Sequence, residues 1–235
     1  MAENKFFNFL KRTMFPSFGC PFCDCETLNG ELCKNCKKLL IQPQFCEICG
    51  EHVSEMDKIC NECKETKRSF DQSRSVAEYR DAVSMAVINL KYNGRRYIAD
   101  GFAKLLSGLF ESTGWKVDYV CSVPSSKNRI KERGFNHAQD IAKKFCENCG
   151  LEYVELLDKI KETDHQTNMT MEERLTNLQG AFKLRDKDIK GKNILIVDDV
   201  FTTGSTLDAC SKAIRKGKPN KIYCLTIGKT VFNKI

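Results

Sequence analysis

The chain has 235 residues, 41% of them apolar and 29% charged, a mixture that is typical of folded globular proteins and excludes a disordered chain. Its net charge is +7, and residues 1–69 balance at ten basic and ten acidic side chains, so the whole excess lies in residues 70–235. A membrane span needs about 20 apolar residues, whereas the longest aliphatic run is 194–197. We therefore predict no transmembrane segment and, without a secretory signal, a cytoplasmic protein.

Four parts follow one another along the chain. Residues 1–19 predict an amphipathic N-terminal segment, 20–63 a cysteine-rich module, and 64–72 a polar connector. Residues 73–235 alternate between helical and strand patterns, which favours a parallel α/β sheet. Helices are predicted at 82–91, 98–110, 137–149 and 205–216, and strands at 118–123, 154–157, 193–198 and 222–227. Residues 158–180 have few apolar side chains and predict a long loop or hairpin, a kind of segment that often serves as a lid.

The cysteine-rich module contains four Cys-x-x-Cys pairs. Their members are Cys20, Cys23, Cys33, Cys36, Cys46, Cys49, Cys60 and Cys63. In a reducing compartment such pairs bind metal more often than they form disulfides, and two pairs complete a tetrahedron of thiolates around Zn²⁺. We expect two structural zinc sites, built from sequential pairs as two zinc ribbons or from alternating pairs as a cross-braced site. Cys25 is left over and could replace one ligand of the first site.

A second motif spans residues 194–206, where a buried strand pattern ends in Asp198 and Asp199. A loop of small residues leads from there into a helix, and it contains Thr202, Thr203, Gly204, Ser205 and Thr206. Backbone N–H groups, hydroxyls and the helix N-terminus would bind a phosphate, while the carboxylates would accept from sugar hydroxyls or hold Mg²⁺. The motif indicates a ribose 5-phosphate as ligand. The alternative is a loop that only caps the helix.

This segment resembles the phosphoribosyl-diphosphate (PRPP) signature of the type I phosphoribosyltransferases. The resemblance implies that Asp198 and Asp199 act as catalytic residues that hold the ribose hydroxyls. It also implies that the threonine-rich turn, residues 202–206, binds the 5-phosphate of PRPP, with Mg²⁺ as the accompanying ion.

The order of further motifs is similar to that of the ComF family. After the cysteine pairs come Leu90-Lys91-Tyr92, Val123-Pro124, Glu132-Arg133-Gly134-Phe135-Asn136, Gln166, Arg174 with Asn177, and Gly180-Ala181-Phe182. The resemblance covers nearly the whole chain from Phe15 onward. It implies a double zinc ribbon followed by a type I phosphoribosyltransferase domain. It also implies a role in natural transformation, in which the best-known member of the family helps to bring single-stranded DNA into the cytoplasm.

The sequence departs from the family pattern in two places. Ser125 and Ser126 stand where Leu-His is common, in the expected pyrophosphate loop, and His137 stands where glutamine is frequent. Small hydroxyl residues still suit phosphate, so we count both serines as PRPP-binding residues. The basic side chains that follow include Arg133, which we expect to act in catalysis by stabilising the departing pyrophosphate. Contact with a DNA backbone and an exposed polar loop are the alternatives.

The leading prediction is a ComF-family phosphoribosyltransferase-like protein that binds PRPP with Mg²⁺ and acts in DNA uptake, with an unknown acceptor. Two alternatives are kept: a non-catalytic module for single-stranded DNA or nucleotides on the same fold, and a nucleobase salvage phosphoribosyltransferase. The expected partners are PRPP and, for the uptake role, single-stranded DNA and other DNA-uptake proteins.

Overall fold

The computed structural model describes residues 19–27, 30–41, 45–54, 56–161, 178 and 180–231. Its strands are β1 (Gln72–Glu78), β2 (Tyr119–Ser122), β3 (Leu157–Lys159), β4 (Phe182–Leu184), β5 (Asn193–Phe201) and β6 (Lys221–Lys229). Four of them form a parallel sheet in the order β1-β6-β5-β2. The other two, β3 and β4, form a separate antiparallel pair. The predicted parallel α/β sheet is confirmed.

Helices cover both faces of the sheet. In the described residues they are α1 (Lys34–Lys37), α2 (Asn61–Glu65), α3 (Asp81–Tyr92), α4 (Ile98–Thr113), α5 (Lys127–Arg133), α6 (His137–Cys149) and α7 (Ser205–Arg215). The apolar sides of α3, α4 and α6 pack on one face, and α7 packs on the other together with β3 and β4. The longest of these helices has 16 residues, and not one of the set combines the length and apolarity that a bilayer crossing requires.

The central strand β5 shows why the sheet forms. Leu195 and Val197 belong to the core on one face, and Ile194 and Ile196 belong to the core on the other. All four are fully buried, as expected for a parallel strand with helices on both sides. Val197 pairs with Ser122, the last residue of β2, so the next residue, Asp198, lies near the carboxyl end of the sheet, where open α/β folds bind their ligands.

The two cysteine-rich hairpins cover the outer edge of β1. In the first hairpin, the Ile41 N–H donates to the Val76 carbonyl at 3.1 Å, and in the second, the Ile48 carbonyl accepts from the Ser73 N–H at 2.6 Å. The first hairpin joins the core on the α3–α4 face, and the second joins the core on the α7 face. Because an unpaired edge strand exposes backbone polar groups, these hairpins complete the sheet.

The expected connector, residues 64–72, is packed against the sheet. Helix α2 ends at Glu65, and Phe70 is buried. The Asp71 carboxylate accepts the Ile222 N–H at 2.8 Å and pairs with Arg215 at 2.5 Å. The domain limits given above stay a prediction, and β1 begins at Gln72, within that segment.

Three local predictions need correction. The strand expected at 154–157 lies at Leu157–Lys159, and Tyr153 makes only an isolated parallel bridge to Val120. Strand β1 was not predicted, because its buried positions include Ser73 and Ser75 and it lacks an apolar run. Residues 127–133, for which no element was expected, form α5.

Several sequence predictions fall outside the described residues. They concern the amphipathic segment, apart from its last residue, and most of the predicted loop, with Gln166, Arg174 and Asn177.

Candidate functional site

The two aspartates at the end of β5 are buried, with Asp198 8% and Asp199 4% exposed. The Asp199 Oδ2 atom pairs with the Lys91 ammonium from α3 and lies 3.4 Å from His137 Nε2 at the start of α6. Asp198 Oδ1 accepts the backbone N–H of Asp199 at 2.9 Å. The carboxylates therefore have different surroundings: Asp199 is held by a cation, whereas Asp198 forms no ion pair within the described part of the chain.

These surroundings shift the pKa values of the two carboxyl groups in opposite directions. Burial, reinforced by the charge of Asp199, raises the pKa of Asp198 well above its usual range. Burial also opposes ionisation of Asp199, but Lys91 and His137 outweigh it and hold the pKa of Asp199 well below its usual range. Burial likewise opposes the charge of Lys91, and the Asp199 carboxylate nevertheless raises the pKa of Lys91. Adjacent titratable groups with separated pKa values are typical of functional sites.

The loop after β5 leads into the N-terminus of α7. Gly204 has φ +76°, and a Cβ on it would lie 3.0 Å from Cε1 and Cε2 of Phe201 and still closer to Cζ. The hydroxyls of Thr203 and Ser205 are 2.7 Å apart. Gly204 has no side chain with which to cap α7, and the Ser205 N–H donates to Thr203 Oγ1 at 3.4 Å. An anion would be favourable at this helix N-terminus.

The residues after β2 lie beside this loop, because β2 pairs with β5. The Ser125 hydroxyl donates to Asn136 Oδ1 at 3.1 Å. The Ser126 hydroxyl accepts the Arg129 N–H at 3.4 Å and forms the N-cap of α5. Both serines thus have partners within the protein that shape this turn, and their role in PRPP binding stays a prediction.

Arg133, at the end of α5, lies against the same site. Its Nη2 donates to the Tyr92 hydroxyl at 2.7 Å, and its guanidinium stacks over the Tyr92 ring with the centroid 4.6 Å away. Its Nη1 is 3.4 Å from His137 Nδ1. A chain of contacts therefore runs from Arg133 through His137 to Asp199. It connects two of the residues that the sequence predicts to act in catalysis.

The second cysteine cluster has the geometry of a four-thiolate metal site. Its members are Cys46, Cys49, Cys60 and Cys63, with all sulfur atoms within 4.8 Å of one another. The Cys49 and Cys60 sulfurs are 3.6 Å apart. Zn–S bonds of about 2.3 Å in a tetrahedron require sulfur separations of about 3.8 Å, so the residues present fit zinc. The cluster joins sequential pairs, as in a zinc ribbon.

The first cysteine cluster offers five thiols. The four within 4.8 Å of one another are Cys20, Cys23, Cys25 and Cys33. The predicted ligand Cys36 is buried beside them, and its N–H donates to Cys33 Sγ at 3.4 Å. Cys25, considered above as a replacement ligand, is 3.4 Å from Cys23 at the sulfur atoms. The pairing is again sequential, and a fifth thiol lies within reach.

The sequence did not identify Lys91 or His137 as site residues. Lys91 was noted only within a family motif and His137 only as a departure from one, yet both contact Asp199. Their helices, α3 and α6, pack on one face of the sheet with their ends near the end of β5. The sequence did contain a signal that Lys91 belongs to the site, because this cation ends an otherwise apolar helical stripe.

A phosphoribosyl transferase domain model matches residues 93–229 of the chain. Because this match spans more than half of the chain and includes the aspartates and the loop, the chain belongs to the phosphoribosyl transferase domain family.

Proteins that are similar to this chain over most of its length indicate a narrower family within this class. The chain is 25% identical over 212 residues to competence protein F of Haemophilus influenzae, covering 86% of this chain and 93% of that protein. It is 26% identical over 216 residues to competence protein ComFC of Bacillus subtilis, covering 85% and 84%. DNA utilization protein YhgH of Salmonella typhimurium is 28% identical over 203 residues, covering 83% and 89%. The predicted resemblance to the ComF family is confirmed.

Solved structures resemble part of the chain. The allosteric regulatory enzyme of purine biosynthesis aligns with a TM-score of 0.41 and 16% identity, over 59% of this chain and 29% of that one. An adenine phosphoribosyltransferase aligns with a TM-score of 0.36 and 16% identity, over 60% and 75%.

Proposed function

We propose that the protein binds PRPP together with Mg²⁺ at the carboxyl end of β5 and acts as a phosphoribosyltransferase-like protein. The observation that carries the proposal is the position of the α7 N-terminus, which follows two buried aspartates of β5 and is held against the Phe201 ring at Gly204. A phosphate monoester suits the first turn of α7, and a ribose diol suits the carboxylates at the end of the strand.

The residues around the aspartates have different roles in the proposed binding of PRPP. Asp198 is the better acceptor for the ribose hydroxyls, because Asp199 Oδ2 is already paired with Lys91. Arg133 and the basic side chains of α5 lie on the side of β2, where the pyrophosphate would leave, and cationic donors there stabilise the charge that develops on it. His137 links Arg133 to Asp199 and fixes the orientation of both groups.

Carboxylate oxygens are ligands that Mg²⁺ prefers, and the ligand atoms of Asp198, Asp199 and His137 lie within 4.8 Å of one another. The two carboxylates fit the ion. Asp198 is the more available of them, because Asp199 is paired with Lys91, and a bound cation would favour the ionised form of Asp198 that burial opposes. Bound Mg²⁺ would neutralise pyrophosphate charge. We also propose that zinc occupies both cysteine clusters in a structural role, because four thiolates leave no open coordination position.

We propose a role in DNA uptake as the biological setting. Relatives along most of the chain are named competence proteins and DNA utilization proteins, and the excess positive charge of residues 70–235 suits an acidic substrate or partner. No residue of the site identifies the acceptor of the ribose 5-phosphate.

Calorimetric titration of the zinc-loaded protein with PRPP tests the proposal. We expect micromolar affinity that requires Mg²⁺ and is lost in the Asp198→Asn/Asp199→Asn double variant. The matched control is Asp186→Asn/Asp188→Asn, which neutralises two exposed aspartates elsewhere in the chain and should bind as the wild type does. If the folded wild-type protein shows no heat of binding with or without Mg²⁺, the proposal fails.

A second candidate function is the binding of single-stranded nucleic acid. It is favoured by the stacked pair of Arg133 and the exposed Tyr92 beside the site, and by Arg96 stacked over Phe135 at 4.7 Å. Arginine and aromatic groups together provide backbone contacts and base stacking. An affinity for a labelled oligonucleotide that falls with salt and survives the Asp198→Asn/Asp199→Asn change would favour this candidate over PRPP chemistry.

A further inference from the structure

A buried lysine lies between the second cysteine cluster and the loop that leads from β5 into α7 (the PRPP loop, residues 202–206). Lys229 is the last residue of β6 and is only 2% exposed. Its Nζ is 3.3 Å from the Glu51 carboxylate and 3.8 Å from the centroid of the Phe201 ring. Glu51 lies two residues after Cys49, and its carbonyl accepts the Cys46 N–H at 2.6 Å. One buried ammonium group thus contacts both the metal-binding turn and the strand that carries the aspartates.

Positive charge lies beside the second cluster. Four thiolates around Zn²⁺ carry a net charge of about −2, and a charge of this size is costly to bury without cations nearby. The Arg74 side chain donates to the Glu47 carbonyl, within the metal-binding turn, at 3.1 Å. The Lys229 ammonium reaches the same turn through its ion pair with Glu51, and this pair carries no net charge. The sheet therefore supplies the Arg74 charge to the cluster, and the Lys229–Glu51 pair supplies a buried contact with it.

The Phe201 ring connects the lysine to the loop. The Lys229 ammonium lies over this ring, and the Gly204 backbone approaches the same ring so closely that a Cβ would collide with it. Phe201 also meets Phe70 edge to face, with centroids 6.2 Å apart. A ring fixed by these neighbours leaves the Gly204 backbone little room to move.

We propose that Lys229 is a positioning residue that couples the second cysteine cluster to the PRPP loop through Glu51 and Phe201. The cluster fixes Glu51, Glu51 fixes Lys229, and Lys229 holds the ring on which Gly204 rests. The consequence for ligand affinity rests on the proposed function. The mechanical coupling can be measured without any ligand.

Hydrogen–deuterium exchange of residues 201–208 in the ligand-free, zinc-loaded protein measures the coupling. The variant is Glu51→Gln, which removes the counterion of Lys229 and keeps the size of the side chain. The matched control is Glu47→Gln, the same change at an exposed position of the same turn. We expect exchange of the loop to become five- to tenfold faster in Glu51→Gln and to stay unchanged in Glu47→Gln, with zinc content equal in all three proteins.

The second variant is Lys229→Met, which should also make exchange of the loop faster. In the Glu51→Gln/Lys229→Met double variant, the loop should exchange no faster than in the single variant with the larger effect, because both changes break the same contact. Unchanged loop exchange in folded Glu51→Gln overturns the proposal. Faster exchange accompanied by loss of zinc also overturns it, because the loop would then respond to a collapsed cluster.

Calorimetry with ribose 5-phosphate and, separately, with inorganic pyrophosphate extends the test to binding. We expect Glu51→Gln to weaken ribose 5-phosphate about tenfold and pyrophosphate less than twofold, because only the 5-phosphate uses the loop. Equal weakening of both ligands overturns the assignment of Lys229 to this loop. If the wild-type protein binds neither ligand, the proposed function fails, and loop exchange alone decides the coupling.

Discussion

At Gly204 two constraints act on one residue. Its φ of +76° is a conformation that residues with a side chain rarely adopt, and its backbone rests on the Phe201 ring. A positive φ alone costs a substituted residue about 1 kcal/mol, whereas a collision with a buried ring must displace the ring or the loop. The glycine therefore fixes the distance between the turn of residues 202–206 and the strand beneath it.

We predict that Gly204→Ala lowers ribose 5-phosphate affinity at least tenfold, because the loop must move away from Phe201. Gly114→Ala is the control, since Gly114 has a similar φ of +66° but a methyl group added to it would meet nothing within 4 Å. Calorimetry of both variants shows whether the loss of affinity is specific to an alanine in the loop. Equal affinities in the two variants would contradict the prediction.

Lys91 and Asp199 form a buried ion pair whose members depend on each other. We predict that Lys91→Met lowers the free energy of unfolding by about 3 kcal/mol, because it leaves the Asp199 charge without its main partner. Urea denaturation measures this loss, and Lys104→Met, at an exposed position of α4, should cost less than about 0.5 kcal/mol. Adding Asp199→Asn to Lys91→Met should recover part of the loss. A Lys91→Met protein as stable as the wild type would show that the pair contributes nothing.

At the scale of elements, Asp71 joins the start of β1 to β6 and α7. It accepts the Ile222 N–H and pairs with Arg215 and Lys221. Although burial opposes its charge, the Ile222 N–H and these two cations lower the pKa of Asp71. A carboxyl group with a lowered pKa in the folded state stabilises the protein above its unfolded pKa of about 3.9, and this contribution disappears as the pH falls.

We predict that Asp71→Asn costs about 2 kcal/mol of unfolding free energy at pH 7 and that the difference from the wild type narrows below about pH 4. Denaturant titrations at several pH values measure both effects. Asp186→Asn, at an exposed position, is the control and should show neither. A difference that stays constant down to pH 3 would contradict the assigned sign.

The elements that the sequence predicted well are those with strong periodic patterns. Helix α6 matches its predicted limits, and β5 extends only three residues beyond its predicted end. Strand β1 was missed because Ser75 is buried through a 2.6 Å hydrogen bond between its hydroxyl and that of Thr226. This partner lies on β6, so the burial of a polar position depends on a tertiary contact that local sequence does not reveal.

Helix α5 shows the opposite case, in which local signals were present but outweighed. Ser126 is its N-cap, and Gly134 follows its end at φ +80°. These are ordinary start and stop signals, but the helix buries no side chain and so has no apolar stripe to reveal it.

The positions of Lys91 and His137 at Asp199 depend on how two helices dock on the sheet, and that docking could not be predicted from the chain alone.

In the whole molecule, each cysteine-rich hairpin belongs to one of the two hydrophobic cores that flank the sheet. The first contributes Phe22, which meets Phe102 of α4 edge to face, and the second shares its core with Phe70 and α7. Metal binding and folding of the sheet should therefore be coupled, since a metal site that forms only in the folded state contributes its binding energy to folding.

We predict that chelation of zinc disrupts the sheet. Trp115, the one tryptophan of the chain, reports on it, because the indole stacks on Tyr223 of β6 at 4.4 Å and donates to Gln72 of β1 at 2.8 Å. Trp115 emission should change in step with zinc release, measured with a colorimetric chelator. Zinc release with unchanged emission would mean that the hairpins fold independently of the sheet.

We propose that the turn between β5 and α7 binds the phosphate of a phosphoribosyl ligand. An NMR titration of the isotope-labelled protein with ribose 5-phosphate tests this residue by residue. We predict that the amide resonances of Gly204, Ser205 and Thr206 shift together and fit one dissociation constant, and that the shifts are absent in Gly204→Ala at the same ligand concentration. Amides of this turn that stay unshifted, while resonances elsewhere respond or none responds, would contradict it.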